Sequence, residues 1–449
     1  MPEFDLVVSG ARVIDPEPGR DEVLSVGARG GLIAALSKNE FPGKRRVNGE
    51  GLVLSPGFID IHTHEDIPEP AASAFRLPRK TAECALRTGN TTIVGGNCGY
   101  SNYPMGAYLA ELKEARLPVT CLSLVGNVSM RETLGLGIYD EASPSQIAQL
   151  KVLALASLDE GALGISFGLQ YAPGTSFAEL LALAGAAAEK NKFIAVHMRH
   201  DTPPKAIVTV QEVIAACRIS GASLQISHLA ANVYGGDNIA GTGRLIAESG
   251  LDISADVYPY NAWATSIKSA VFDNGFDDFN FGVEDLEILS GPRSGQRCTP
   301  ESFRELRTAA QDTAVACHNA IPMADIERAY KLPFVCMASD AYISVDGDIV
   351  KGHPRSASSP ARFLREFVRE KKLFSLMEGI KKLTLLPAQR CGLSRKGRIQ
   401  EGCDADLCLF DPAAIADRAG FGVETCALPP EGIKCVIAGG RVVYEGLPL

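Results

Sequence analysis

The run Gly57-Phe58-Ile59-Asp60-Ile61-His62-Thr63-His64 is a short apolar segment that ends on two histidines. Its length and its apolar content are typical of a buried strand. Residues two apart on a strand point to the same side, so both imidazoles are able to reach one ion at the strand end. The pair by itself is a moderate signal for a metal site, because two histidines near a surface turn produce the same pattern.

The middle of the chain repeats this alternation of short apolar runs with segments that carry helical spacing. Counting the first, the eight runs lie at 57–62, 91–96, 119–125, 162–167, 193–197, 223–228, 252–257 and 334–339. Eight parallel strands that are each followed by a crossover close most naturally into a barrel. We therefore predict an α/β protein with a (β/α)8 TIM barrel over residues 56–384, which carries an insertion at about 261–312.

Both ends of the chain follow a different pattern, with short alternating runs that are broken by glycine and aspartate. Such runs are typical of antiparallel strands. They occupy residues 1–55 and 385–449, on either side of the predicted barrel. The sequence therefore predicts that the two ends pair into one small β domain.

The composition argues against several classes of protein. The chain has 44 Lys and Arg against 53 Asp and Glu, a formal net charge of -9, which argues against a nucleic-acid partner. Its most apolar stretches are too short to cross a membrane, and its first residues are acidic where a secretory signal would be basic. We therefore expect no membrane partner and a cytoplasmic location. The 12 cysteines show no paired spacing that would indicate a disulfide framework.

Three further candidate ligands lie at the ends of predicted strands. His197 closes the fifth run, His228 closes the sixth, and Asp340 directly follows the eighth. Barrels of this kind place their chemistry at the carboxyl ends of the strands, so these side chains should converge with the two histidines of the first run. Imidazole and carboxylate are among the ligands that zinc prefers. The sequence therefore predicts a zinc site at one mouth of the barrel.

These positions resemble the pattern of the amidohydrolase superfamily, which implies a β-sandwich built from both chain ends. In many members a carboxylated lysine on the fourth strand bridges two metals, but no lysine lies between Lys151 and Lys190 here. The second run instead ends in Gly95-Gly96-Asn97-Cys98-Gly99-Tyr100-Ser101, which resembles the cysteine segment of the N-acyl-D-amino-acid deacylase (D-aminoacylase) branch. Further similar segments lie at 164–174, 197–199, 225–228, 255–260, 352–355 and 386–390.

The resemblance implies a zinc-dependent hydrolase that cleaves an N-acyl-D-amino acid into a carboxylate and a free D-amino acid. The implied ligands of the tighter zinc ion are Cys98, His197 and His228, and those of a weaker or vacant second site are His62, His64 and Asp340. A zinc ion acidifies a bound water and polarises the amide carbonyl. If Asp340 hydrogen-bonds that water, it takes the proton during the attack and returns it to the departing amine.

The resemblance also implies that Tyr171 and Arg355 bind the α-carboxylate of a small-molecule substrate. A guanidinium suits this role because its planar fork matches a carboxylate. Two segments on the substrate side, 261–265 and 356–362, depart from the family pattern. The first carries Trp263, the only tryptophan of the chain. As a hypothesis, Trp263 narrows the pocket or stacks on an acyl group.

Two other functions compete with this interpretation. A cyclic-amide hydrolase of the hydantoinase or dihydroorotase kind would use the same histidines, but the missing lysine and the presence of Cys98 count against it. A non-catalytic barrel that serves as a scaffold predicts loss of ligands, whereas all six candidate positions are filled. A lone histidine is more often structural than ligating, which is our interpretation of His200, His318 and His353. The sequence does not indicate the oligomeric state.

Overall fold

The computed structural model describes residues 3–68, 75–346 and 349–446. Within these ranges no helix is both long enough and apolar enough to cross a membrane. Strands and helices alternate along most of the chain, as expected for an α/β protein.

The two ends of the chain meet in one eight-stranded sheet. Its strands are Phe4–Asp15, Arg20–Arg29, Leu32–Ser37, Gly43–Asn48, Val53–Pro56, Leu407–Phe410, Ile433–Ala438 and Arg441–Glu445. The strand Leu407–Phe410 runs antiparallel to Val53–Pro56 and places Leu409 opposite Leu54. Leu54 and Leu409 are buried in a cluster of apolar side chains that both ends supply, which ties the two ends together.

Two parallel sheets occupy the middle of the chain. The six-stranded sheet consists of Val125–Gly126, Gly164–Gly168, Phe193–His197, Ser223–Ile226, Ile253–Val257 and Val335–Met337, and the three-stranded sheet of Phe58–Asp60, Asn90–Gly95 and Thr120–Ser123. The strands Asn90–Gly95, Gly164–Gly168 and Phe193–His197 are buried along their whole length, as is usual where both faces of a parallel sheet are covered. Backbone hydrogen bonds join the sheets at both edges, from Leu163 N to Ser123 O (2.8 Å) and from Asp340 N to His62 O (2.9 Å).

Helices follow most of these parallel strands and pack apolar side chains against them. The α-helices are Arg79–Arg87, Met105–Glu114, Asn127–Thr133, Pro144–Asp159, Phe177–Glu189, Ala206–Ser220, Leu229–Val233, Asn238–Ser249, Pro300–Thr308, Met323–Tyr330, Arg355–Arg362, Leu376–Leu383 and Leu385–Arg390, and Phe363–Glu370 is a π-helix. The sequence marks several of their starts. Ser143, for example, caps Pro144–Asp159 and forms a capping box with Gln146.

The segment between the strands Ile253–Val257 and Val335–Met337 contains a small antiparallel sheet. It is made of Trp263–Ser266, Leu286–Ile288 and Ala314–Cys317. Phenylalanine rings pack around Trp263, whose ring centroid lies 5.9 Å from that of Phe272 and 5.5 Å from that of Phe281. This aromatic cluster is continuous with the main apolar core and holds the indole in place. A further three-stranded sheet consists of Ile67–Pro68, Ile343–Asp346 and Ile349–Gly352.

Candidate metal centre

Six side chains with metal-binding atoms lie together at the carboxyl ends of the parallel strands. Their ligand atoms fall into three overlapping groups, each within 4.8 Å: His62, His64 and Cys98; Cys98, His197 and His228; His62, His228 and Asp340. All six were singled out from the sequence as candidate ligands. The structure therefore brings every candidate ligand of the sequence analysis into one cluster.

The backbone turns sharply at three members of this cluster. Cys98, His228 and Asp340 have φ angles of 54°, 34° and 52°, in the left-handed region that residues with a Cβ rarely adopt. Next to Cys98 the chain needs glycine, because a Cβ on Gly96 (φ 73°) would lie 2.2 Å from the carbonyl oxygen of Leu124. Such unfavourable conformations concentrate at functional sites, where they aim side chains that regular structure would point elsewhere.

Cys98 differs from the other cysteines in its electrostatic surroundings. Its Sγ lies 3.4 Å from His62 Nε2 and 3.7 Å from His228 Nε2. Although burial opposes ionisation, the charge of His62 and hydrogen bonds from the neighbouring imidazoles hold the pKa of the Cys98 thiol well below its usual value. Burial raises the pKa of the other eleven thiols. Because the thiolate is the form that binds metal, Cys98 is the cysteine that suits a metal site.

Two carboxamides orient the imidazoles beside Cys98. His197 Nε2 lies 2.8 Å from Gln170 Oε1, and His228 Nδ1 lies 3.0 Å from Asn232 Oδ1. When each of these nitrogens donates its N–H to the amide oxygen, His197 Nδ1 and His228 Nε2 keep their lone pairs. Those two nitrogens face each other at 2.9 Å, next to the thiolate. One thiolate and two neutral imidazoles form a donor set that suits zinc and leaves a fourth position open.

His62 is oriented by a carboxylate instead. Its Nδ1 lies 3.1 Å from Asp256 Oδ1, which also accepts the backbone N–H of His228 (2.8 Å), while Asp256 Oδ2 accepts from Gln225 Nε2 (2.8 Å). Although burial opposes protonation, the charges of Asp256, Cys98 and Asp340 raise the pKa of His62 well above its usual value. A region with this much negative charge attracts a cation.

Asp340 and Arg355 form a buried ion pair at the edge of the cluster. Arg355 Nη2 lies 2.9 Å from Asp340 Oδ2, and His64 Nε2 lies 3.0 Å from Asp340 Oδ1. Although burial opposes ionisation, these neighbours, with Arg355 as the largest contributor, hold the pKa of Asp340 far below its usual value. Arg355 is 1% exposed, and its Nε and Nη1 are buried without a hydrogen-bond partner among the described residues. Buried donors of this kind are available to a ligand.

A narrow cavity opens beside His197 and His228. The predicted substrate residues Tyr171 and Trp263 both line it, together with His197, Asp201, His228, Ala231, Asn232, Tyr258, Ala264, Thr265, Val271 and Asp340. The ring centroid of Tyr171 lies 4.3 Å from that of His197. Arg355 lies behind the wall, with its guanidinium carbon 4.7 Å from the ring centroid of Tyr258. Of the predicted substrate residues, Arg355 is the one that is withdrawn behind the cavity surface.

The three histidines interpreted as structural lie outside the ligand cluster. His318 Nε2 is 2.8 Å from Glu287 Oε2. His353 is buried, its Nδ1 accepts a hydrogen bond from the backbone N–H of Arg355 (3.0 Å), and burial lowers its pKa well below the usual value. His200 lines a second, wider cavity.

Sequence reasoning missed the residues that orient the ligands. Asp256 and Gln170 lie inside segments that resemble the deacylase branch, at 255–260 and 164–174, so the resemblance was a signal that could have found them. Asn232 lies four residues after His228 on the short helix Leu229–Val233. No motif marks it, and its role follows only from the position of its side chain.

Comparison with known proteins identifies related families. Residues 53–219 and 309–444 each match an amidohydrolase family model, and together the two matches span more than half of the chain. N-acyl-D-glutamate deacylase of Alcaligenes xylosoxydans xylosoxydans is 29% identical, over 99% of this chain and 95% of its own length. D-aminoacylase of the same organism is 28% identical, over 98% of this chain and 95% of its own length.

Solved structures show the same relationship. N-acyl-D-glutamate deacylase from Bordetella bronchiseptica, complexed with zinc and a phosphonate mimic of the tetrahedral intermediate, has a TM-score of 0.86 at 25% identity, over 100% of this chain and 98% of that one. A D-aminoacylase has a TM-score of 0.84 at 27% identity, over 98% of this chain and 97% of that one. D-hydantoinase, at 15% identity and a TM-score of 0.63, shares the fold alone. The chain therefore has the α/β amidohydrolase fold.

Proposed function

Because this chain belongs to the amidohydrolase family, we propose that it is a metal-dependent hydrolase of N-acyl-D-amino acids, which it cleaves into a carboxylate and a free D-amino acid. The observation that carries the proposal is the group formed by Cys98, His197 and His228, whose ligand atoms lie within 4.8 Å of one another. Three relatives that are 27%, 28% and 29% identical to this chain over nearly its whole length are named as deacylases.

We propose that the two parallel sheets form one closed (β/α)8 barrel over residues 56–384. The hydrogen bonds that join the sheets at both edges support closure, as does the parallel bridge between Thr63 and Ala341. The shared sheet of the two chain ends supports a separate β-sandwich domain made of residues 1–55 and 385–449. In this arrangement the candidate ligands lie at the mouth where such barrels place their chemistry.

Zinc is the cofactor that we propose. Cys98, His197 and His228 would hold the tighter ion, and a weaker second site would use the ligands His62, His64 and Asp340. When bound, zinc lowers the pKa of a coordinated water toward ~7 and polarises the amide carbonyl. The zinc-complexed deacylase from Bordetella bronchiseptica supports this choice of metal.

Asp340 is the proposed general base and acid. Its Oδ1 and Oδ2 are held by His64 and Arg355, so the carboxylate faces the cavity in a fixed orientation. In that position it takes a proton from the attacking water and delivers it to the departing nitrogen of the amide. Arg355 keeps Asp340 in the ionised form, which is the form able to accept the proton.

Three residues bind the substrate in this proposal. Tyr171 contributes its hydroxyl at the cavity wall, and Arg355, behind that wall, carries the two unpaired donors, Nε and Nη1, that would bind the α-carboxylate. Trp263 limits the width of the cavity, because the surrounding phenylalanines hold the indole rigidly. The substrate is therefore a small molecule that carries a carboxylate.

A cyclic-amide hydrolase remains the second candidate. Dihydroorotase from Geobacter metallireducens is 23% identical over 98% of this chain. The experiment below therefore includes cyclic amides as substrates. The absence of a lysine between Lys151 and Lys190 and the presence of Cys98 count against it.

The experiment measures amine release by the zinc-loaded protein from matched N-acetyl-D- and N-acetyl-L-amino acids, with hydantoin and dihydroorotate in parallel. We expect turnover of the D series only. Ring opening without release from the D series would replace the deacylase proposal by the cyclic-amide one.

A further inference from the structure

The carboxylate of Asp201 lies where two cavities meet. It lines the narrow cavity beside His197 and His228, and it also lines a wider cavity of about 350 Å³ that opens outward. Asp201 is 8% exposed, and Val271 is the other residue that lines both cavities. A substrate whose amide lies beside the two histidines would extend past Asp201 into the wider cavity.

Asp201 has no cationic partner in the part of the chain that the structure describes. Its Oδ1 accepts a hydrogen bond from Gln170 Nε2 (2.6 Å), and no side-chain nitrogen of a described lysine or arginine lies within 4.0 Å of its carboxylate. Burial raises its pKa to about 7. A carboxylate is rarely buried without a cation, because burial removes the water that stabilises its charge.

The other charged side chains of the wider cavity are already paired. Ion pairs join Arg199 with Glu212 (2.8 Å), Lys205 with Asp278 (3.9 Å) and Asp273 with Arg307 (2.6 Å). Asp201 is therefore the carboxylate on this wall, among the described residues, whose charge a ligand is left to balance.

We infer that Asp201 binds a cationic nitrogen of the substrate. This inference rests on the proposed function and narrows its substrate class. The cation has two possible sources: an ammonium or guanidinium on the side chain of the D-amino acid, or an amine on the acyl group. A substrate with an acidic side chain would bring a second carboxylate toward Asp201, which sets this chain apart from the relatives named for D-glutamate and D-aspartate.

The test compares kcat/KM for four substrates. N-acetyl-D-norleucine is the neutral reference, and N-acetyl-D-lysine adds an ammonium at the end of a side chain with the same four-carbon stem. Glycyl-D-norleucine differs from the reference by an amine on the acyl group. N-acetyl-D-glutamate carries the opposite charge. We expect one of the two amine-bearing substrates to exceed the reference by about tenfold or more, as a charge-assisted hydrogen bond predicts, and the glutamate derivative to fall below it.

Asp201→Asn should abolish that preference. The kcat/KM of the preferred amine-bearing substrate, divided by that of N-acetyl-D-norleucine, should then be close to one. The ratio is the decisive quantity, because Gln170 links Asp201 to His197, and any loss of metal would lower both rates equally. Asp278→Asn is the matched control. It removes a carboxylate from the same cavity that is already paired with Lys205, so the ratio should stay at its wild-type value.

Three outcomes would overturn the inference: neither amine-bearing substrate exceeds the reference, the preference survives Asp201→Asn, or N-acetyl-D-glutamate is the best substrate. In all three the enzyme still hydrolyses N-acetyl-D-norleucine, so the proposed function stands. If none of the four substrates is hydrolysed, the proposed function fails and this inference fails with it.

Discussion

On one side of the ligand cluster the imidazoles are held by carboxamides, whereas on the other side carboxylates hold them. Gln170 and Asn232 accept from His197 and His228 next to Cys98. Asp256 lies 3.1 Å from the imidazole of His62, and Asp340 lies 3.0 Å from that of His64. We call these the Cys98 side and the Asp340 side.

The difference fits the roles that we propose for the two sides. A carboxamide oxygen fixes the tautomer of an imidazole without adding charge, so the Cys98 side presents one thiolate and two neutral nitrogens, as a tight zinc site requires. A carboxylate adds a negative charge and is able to take up a proton. In the proposed mechanism the Asp340 side combines weaker metal binding with proton transfer, so the two sides should respond differently to mutation.

The largest effect is expected from removing the thiolate of the Cys98 side. Cys98→Ala should lose tightly bound zinc and lower kcat/KM on the order of 10⁴-fold, since the metal supplies several kcal/mol of transition-state stabilisation. Zinc per chain after dialysis against a chelator measures the first effect. Cys121→Ala is the control, because that thiol is half-buried and lies outside the cluster. Full zinc in Cys98→Ala would remove Cys98 from the ligand set.

On the Asp340 side, Asp340→Asn should separate proton transfer from tight metal binding. An amide cannot accept the proton, so kcat should fall by about 10³-fold while one zinc ion per chain remains. Single-turnover kinetics and metal analysis on the same preparation check both parts. Near-normal kcat would exclude Asp340 as the base.

Arg355→Lys keeps a positive charge near Asp340 but removes the planar fork. We expect kcat/KM to fall by about 10²-fold for N-acyl-D-amino acids, mainly through KM, because two hydrogen bonds to a charged carboxylate are lost. The corresponding N-acyl-D-amino acid amides, which lack the α-carboxylate, serve as the control and should be affected much less. Equal losses on both substrates would contradict a role in carboxylate binding.

Asn232 offers a way to weaken the Cys98 side without touching a ligand. Asn232→Ala removes the acceptor that orients His228, and zinc affinity should fall by about tenfold with little change in KM. Asn238→Ala is the matched control, because the Asn238 side chain donates to the backbone oxygens of Pro203 and Tyr234 instead. Equal zinc affinity in the two variants would show that Asn232 does not position the ligand.

The smallest effect is expected from Trp263, which lies on the cavity wall and belongs to neither side. Trp263→Phe should leave zinc content unchanged and raise the relative rate with acyl groups larger than acetyl by about tenfold or less. Phe303→Leu changes the same aromatic cluster away from the cavity and should keep the wild-type profile. An unchanged acyl profile in Trp263→Phe would refute the idea that the indole limits the pocket.

Much of the fold class could be predicted because it depends on short-range patterns. The alternation of apolar runs with helical segments predicted an α/β protein, and the residues at the strand ends led to the amidohydrolase superfamily; the family matches confirm both. The roles of the six candidate ligands stay predictions, although the structure places their side chains together.

The supporting residues could not be predicted in the same way. His228 and Asn232 are four residues apart, but the contact depends on a left-handed turn at His228 (φ 34°) that no local propensity favours. Gln170 contacts His197 across 27 residues of chain, and Asp256 contacts His62 across 194. Such contacts arise only when neighbouring strand ends are brought side by side.

The sequence by itself determined which candidate ligands meet, because residues at the carboxyl ends of neighbouring parallel strands lie at the same end of the sheet. Only the tertiary structure decided which side chains support the ligands, which charged groups are paired and which residues line the cavity. It paired Arg355 with Asp340, left Asp201 without a lysine or arginine partner among the described residues and placed Trp263 on the cavity wall. The physical reason is that charge balance and burial depend on distances between segments remote in sequence, which local patterns do not encode.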